Sequence, residues 1–151
     1  MDVARQVNSA LVTLYWQVGK RIREDVLKEK RAEYGEQIVA TLSQQLSHEY
    51  GNGWSRYNLA RMIQFAETFP ERQIVNALSS QLGWSHFKEI ISLDDKSKRD
   101  FYAEMCRLER WSVRTLRSKI GHLLFERTAV AKKPKTVIEQ EIKSPRSRQL
   151  D

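Results

Sequence analysis

The stretch that most limits what this chain can become is YGNGWSRYNLARMIQFAETFP, from Tyr50 to Pro70. It spells turn, cap, helix and stop in that order. Gly51 and Gly53 permit the positive φ of a tight reversal without steric cost. Ser55 stands where its hydroxyl can accept from an otherwise orphan amide of the first helical turn. Trp54 and Leu59 occupy the two positions of a hydrophobic staple around that cap. Pro70 closes the segment, because the residue before a proline is pushed out of the α region. The spacing therefore predicts a helix from Ser55 to Phe69.

Within that helix Leu59, Met62, Ile63, Ala66 and Phe69 share one face at about 100° per residue. Tyr57, Arg61, Gln64 and Thr68 project near the opposite face, with Asn58 and Phe65 on a flank. Upstream, Gly35 to His48 carries Ile38, Val39, Leu42 and Leu46 at helical spacing. Two amphipathic helices joined by a glycine turn have the outline of a helix-turn-helix at 35–69. Its second helix would offer Arg61 to guanine and Gln64 or Asn58 to adenine, with Arg56 and Tyr57 on phosphates. The same pattern also fits an αα-hairpin whose apolar faces only build a core.

Charge is distributed unevenly. Residues 1–109 hold 15 Lys and Arg against 15 Asp and Glu, so the net +7 of the 151-residue chain lies wholly in residues 110–151. Basic groups release counterions from phosphates, so this excess favours a polyanion. Arg114, Arg117 and Lys119, on a predicted helix from Val113 to Arg127, are the candidates for added backbone contacts. Lys132, Lys133 and Lys135 follow in the tail, where solvation of a linker explains them equally well.

The other segments are helical too. Asp2 to about Lys30 reads as one long helix, its apolar stripe formed by Val3, Val7, Leu11, Leu14, Val18, Ile22 and Val26. Trp16 falls off that stripe, and cover by another helix of the same domain is its expected fate. Further helices are expected over Glu71–Leu82, from His86 to Ser92, and from Leu93–Asp94 through Leu108. Trp-Ser occurs at Trp54, Trp84 and Trp111, each predicting an indole under a helix start and a serine cap. Trp111 and Leu116 repeat the staple spacing. From Ala129 onward two prolines and few large apolar residues mark a linker or tail.

Together these features predict an all-α, compact multi-helix domain over 1–128 with a helix-turn-helix, winged-helix-like core. A flexible basic tail is expected over 129–151. No apolar run reaches the length of a bilayer span, the start lacks a signal-peptide pattern, and Cys106 is the single cysteine. A cytoplasmic protein without membrane attachment is expected. His48, His86 and His122 stand in unrelated contexts, and no glycine-rich phosphate loop or nucleophile elbow occurs. No metal, cofactor, small-molecule substrate or catalytic residue is predicted.

Three stretches in order, GNGWSRYNLARMIQFAETFP, LSSQLGWSHFKEIISL and RDFYAEMCRLERWSVRTLRSKIGHLLFERTAVAKKP, resemble the N-terminal domain of the YhcG family. The likeness runs from about Val7 to Ile142. Full-length members of this bacterial family join a helix-turn-helix-like DNA-binding half to a C-terminal PD-(D/E)XK nuclease. The resemblance implies a DNA-binding module associated with a nuclease, with Ser55, Asn58, Leu59, Arg61, Met62, Gln64 and Phe65 at matching positions. This chain stops in the linker, so the nuclease activity is not expected of it. The first expectation is thus a double-stranded DNA-binding domain. The alternative is a helical interaction module that dimerises or docks a nuclease subunit through Trp16, Phe65 or Phe125.

Overall fold

The structure, a computed structural model, describes residues 2–26 and 32–130, together with Ile138 and Ile142. All regular structure among the described residues is helical, as the periodicities predict. The helices gather into two units, residues 1–80 and 81–151. The expected flexible tail, including Lys132, Lys133 and Lys135, lies almost entirely outside the described residues.

The first unit contains α1 (Val3–Arg21), a π-helical turn over Ile22–Val26, α2 (Ala32–Tyr50), α3 (Arg56–Thr68) and α4 (Arg72–Leu78). Asp2 starts α1 by accepting from the Arg5 amide at 2.9 Å. The single helix predicted to Lys30 leaves α geometry at Arg21, and residues 27–31 lie outside the described set.

The face of α1 that enters the core is not the predicted stripe as far as Leu14, although Val18 of that stripe is half-buried and Ile22, in the π-helical turn, is buried. Val12, Trp16 and Gly19 are buried, whereas Val3, Val7, Leu11 and Leu14 are 74%, 61%, 41% and 43% exposed. Projection at 100° per residue puts these two sets on opposite sides of the helix. The physical reason is close approach. A Cβ on Gly19 would stand 1.9 Å from the Met62 carbonyl oxygen, so α1 and α3 cross backbone to backbone there. Only the face bearing that glycine permits such a crossing. Trp16, one turn earlier, then fills the adjoining space and donates its indole N–H to the Phe69 carbonyl at 2.7 Å. That carbonyl caps α3, where helical donors run out, so the bond satisfies a group that burial would otherwise orphan.

Helix α3 is therefore held chiefly by α1, and α2 reaches it over a smaller surface. Leu59, Met62, Phe65, Ala66 and Phe69 are its buried residues. Phe65, expected on a flank, is fully buried, and Ile63, expected inside, is half-buried, so the core face is turned toward Phe65. Asn8 and Ser9 tie α1 to the end of α4 through Ser79, by an Asn8 amide donation to the Ser79 carbonyl at 3.1 Å and a 2.8 Å hydroxyl pair.

The second unit contains α5 (Trp84–Ile91), α6 (Lys96–Glu109), α7 (Val113–Gly121) and α8 (Leu124–Val130). Asp95 caps α6, accepting from the Ser97 and Lys98 amides. The helix predicted to run from Val113 to Arg127 is broken at His122–Leu123, where Leu123 adopts φ 58°. Buried Tyr102 bridges the break. Its hydroxyl accepts from the Phe125 amide at 3.1 Å and donates to the Lys119 carbonyl at 3.4 Å, serving one orphan group on each side.

Of the three Trp-Ser starts, Ser55 and Ser112 cap as expected, accepting from the Asn58 and Thr115 amides at 3.1 Å each. Ser85 does not. Gly83 holds the cap position and Trp84 is already helical. The Gly83 amide instead donates to His86 Nδ1 at 3.0 Å, which leaves the proton of a neutral ring on Nε2 to donate to the Trp111 carbonyl at 2.7 Å. One imidazole thus joins the start of α5 to the residue before the α7 cap.

Two tests follow from these contacts. Gly19→Ala should destabilise the protein by about 1–3 kcal/mol or more, because backbone rather than a flexible side chain blocks the new methyl. Gly121→Ala, with nothing within 4 Å of the added carbon, should not. Chemical denaturation followed by circular dichroism decides between them, and equal stabilities would refute the crossing. Burial lowers the His86 pKa from its ordinary 6.5, outweighing its bond to Trp111. The unfolded chain then binds this proton more readily, so the stability His86 contributes is complete above about pH 6.5 and lost as pH falls toward the folded pKa. In a denaturation series across that range, His86→Asn should remove this part of the slope. His48 and His122 remain in both proteins and cancel, so equal slopes would contradict the neutral clip.

Candidate nucleic-acid interface

The glycine turn forms as its residues dictate. Gly51 and Gly53 have φ of 82° and 106°, in the region where glycine alone is unstrained. Ser43, from α2, donates to the Trp54 carbonyl at 2.8 Å, fastening the turn to the preceding helix. The Trp54 ring meets Tyr15 edge-on, 5.8 Å between centroids, and lies 6.3 Å from Tyr50. Leu59, its predicted staple mate, is fully buried. Ser55 then starts α3 in the orientation that its burial against α1 completes.

The outward face of α3 carries Arg56, Tyr57, Ala60 and Glu67, all exposed, with half-buried Arg61 and Gln64 beside them. The Arg61 guanidinium lies 5.2 Å from the centre of the Tyr57 ring, a cation–π arrangement that holds both side chains in place. Its Nε is buried without a hydrogen-bond partner. Arg5 and Arg23 are spent on Asp2 at 4.0 Å and Glu67 at 3.7 Å. Arg56 and Arg61, by contrast, pair with no carboxylate among the described residues. Asn58 is engaged locally, its amide donating to the Gly53 carbonyl at 3.3 Å. That bond braces the turn and removes Asn58 from the set presented outward.

In the second unit the predicted cations fare differently. Arg114 is exposed. Arg117 donates to Glu89 at 2.5 Å, which spends part of its charge within the unit. Lys119 is a correction. It is 1% exposed, with its ammonium 5.5 Å from the centre of the Trp111 ring, so it braces the core and cannot reach a phosphate. Helical periodicity set it beside Arg114 and Arg117, but the chain turns at His122 and α7 presses that side inward.

The docking trio expected from Trp16, Phe65 and Phe125 is corrected as well. Trp16 and Phe65 are buried, and Phe125 is half-buried with its ring 5.4 Å from that of Phe101. Missed instead was a groove of about 840 Å³ lined by Leu14, Val18, Leu42, Leu46, Tyr50 and Trp54 among others. A sequence signal for it existed. Val12, Trp16 and Gly19 form a second helical series on α1, and two series cannot both face one core.

Among the described residues no three His, Cys, Asp or Glu side chains gather as a metal site, and no helix is long and apolar enough to cross a membrane. Burial pushes the Cys106 thiol up to about 12, so it is not poised as a nucleophile.

The described residues thus make an all-α protein in which the helix after a glycine turn presents a basic and aromatic face. The chain belongs to the DUF1016 N-terminal domain family, which matches residues 1–127. It is 27% identical to the protein of Escherichia coli (strain K12) named "Putative nuclease YhcG", over 92% of this chain and 45% of that protein. The chain therefore spans less than half the length of this relative and corresponds to an N-terminal domain of a nuclease-related family. No solved structure matches it.

Proposed function

We propose that this domain binds double-stranded DNA, with α3 lying in the major groove. The observation that carries the reading is the outward face of α3, where Arg56 and Arg61 flank Tyr57 and pair with no carboxylate among the described residues. A guanidinium without an internal acid can pair with guanine or phosphate without first breaking an ion pair. Gln64 adds an amide on the same side, suited to adenine. The Escherichia coli relative is named as a nuclease, a class of protein that acts on nucleic acid, which agrees with this chemistry.

Arg61 and Gln64 serve as base readers, and Arg56 and Tyr57 hold the backbone. Arg114 and, after release from Glu89, Arg117 supply sequence-independent affinity, as do the lysines beyond residue 130. Lys119 and Asn58 have no part in it. In this reading the protein is a cytoplasmic binding module.

The test is a salt-dependent titration on random duplex and on a site selected from a duplex library. Arg61→Ala with Gln64→Ala should weaken the selected site by about 1–3 kcal/mol per lost bidentate contact, with a smaller effect on random duplex. Arg56→Ala should weaken both alike and flatten the log K against log salt slope by about one unit. If all three substitutions together leave both affinities unchanged in a folded protein, α3 is not the DNA-reading element.

A further inference from the structure

The predicted core stripe of α1 is exposed from Val3 to Leu14, and its position makes sense if a second copy of the chain covers it. Val3, Val7, Leu11, Leu14 and Val18 fall within an arc of about 80° at 100° per residue, opposite buried Val12, Trp16 and Gly19. Contiguous apolar surface of this kind marks an interface. The ridge has two halves of different shape. The C-terminal half, Leu14 and Val18, forms one wall of the 840 Å³ groove whose other side is Leu42, Leu46 and Tyr50 of α2. The N-terminal half, Val3 and Val7, protrudes beyond it. A protrusion and a groove on one helix are the requirements of an isologous contact, in which each copy fills the other.

We propose that the chain forms a two-fold dimer through antiparallel pairing of α1, the N-terminal half of each α1 seated in the groove of the other copy. In this register Val3 falls opposite Val18 of the second copy, Val7 opposite its Leu14, and Ala10 opposite its Leu11. Avoidance of like charge selects this direction. Asp2 and its internal partner Arg5 leave the start of α1 neutral, while Lys20 and Arg21 make its far end basic. Antiparallel packing sets each basic end against a neutral one. Parallel packing would set Arg21 beside Arg21 and leave both grooves empty. The groove also explains why Leu42 and Leu46 of α2 are only half-buried within one chain. The dimer is independent of whether α3 reads DNA.

Sedimentation equilibrium of the full chain is the first measurement. The expected mass is twice 17.8 kDa, returning to 17.8 kDa for Val7→Glu or Leu14→Glu with unchanged circular dichroism. Both positions are exposed, so neither change disturbs the core. A chain that stays at 17.8 kDa up to ~100 μM overturns the proposal, as does a dimer that survives both substitutions. Cysteine pairing then tests the register. Val7→Cys mixed with Leu14→Cys should cross-link on oxidation, while Val7→Cys alone should not, its two sulfurs being about 10 Å apart along the helix. Buried Cys106 does not compete. Efficient cross-linking of Val7→Cys to itself, without the mixed product, would show parallel pairing and refute the arrangement.

Discussion

A helix C-cap carbonyl has no donor within its own helix, and in α3 the indole N–H of Trp16 reaches that carbonyl, on Phe69, at 2.7 Å. The bond exists because α1 lies against α3 closely enough for Gly19 to touch the backbone of Met62. These two contacts, one turn apart on α1, set the rotation of α3. With Met62 and Phe65 turned to α1, Arg56, Tyr57 and Arg61 must lie on or beside the outward face. The same contacts set the rotation of α1, and so leave Val3, Val7, Leu11 and Leu14 outside. A single crossing therefore determines both surfaces to which function is assigned.

The glycine turn contributes direction rather than adhesion. Ser43, Ser55 and Asn58 hold it by hydrogen bonds, and Trp54 lies among tyrosine rings from α1 and α2. Helix α2 is less tightly engaged than α1, with Leu42 and Leu46 lining a groove rather than filling a core. In the second unit, His86 and the Tyr102 hydroxyl play comparable roles, each joining two helix ends whose polar groups would otherwise be orphaned.

The turn, the caps at Ser55 and Ser112, and the helical class were legible in the sequence because they depend on local chemistry. Glycine at positive φ and serine at an N-cap need no distant partner. What failed to be legible depended on distant partners. The stripe Val3–Val7–Leu11–Leu14 has the stronger apolar periodicity, yet Gly19 decided which face meets α3, and a glycine contributes nothing to a hydrophobic pattern. Lys119 looked like its neighbours Arg114 and Arg117 until the break at Leu123 and the Trp111 ring enclosed it. Ser85 repeated the Trp-Ser motif but yielded its capping role to His86, because the imidazole also reaches Trp111. The outward placement of Arg56 and Tyr57, with Arg61 and Gln64 half-buried beside them, was readable in outline, since the opposite side of α3 was unmistakably apolar.

Native-state hydrogen exchange, resolved by residue, measures the dependence on the α1–α3 crossing most directly. Amides near Trp16 and Gly19 in α1 and near Met62 and Phe65 in α3 should share the highest protection in the first unit and exchange in one cooperative step. Those of α2 should open at lower free energy, because fewer buried contacts hold that helix. If α2 and α3 instead exchange together while the centre of α1 opens first, the α2–α3 pair is the stable body and α1 an appendage. That result would contradict the account given for both surfaces.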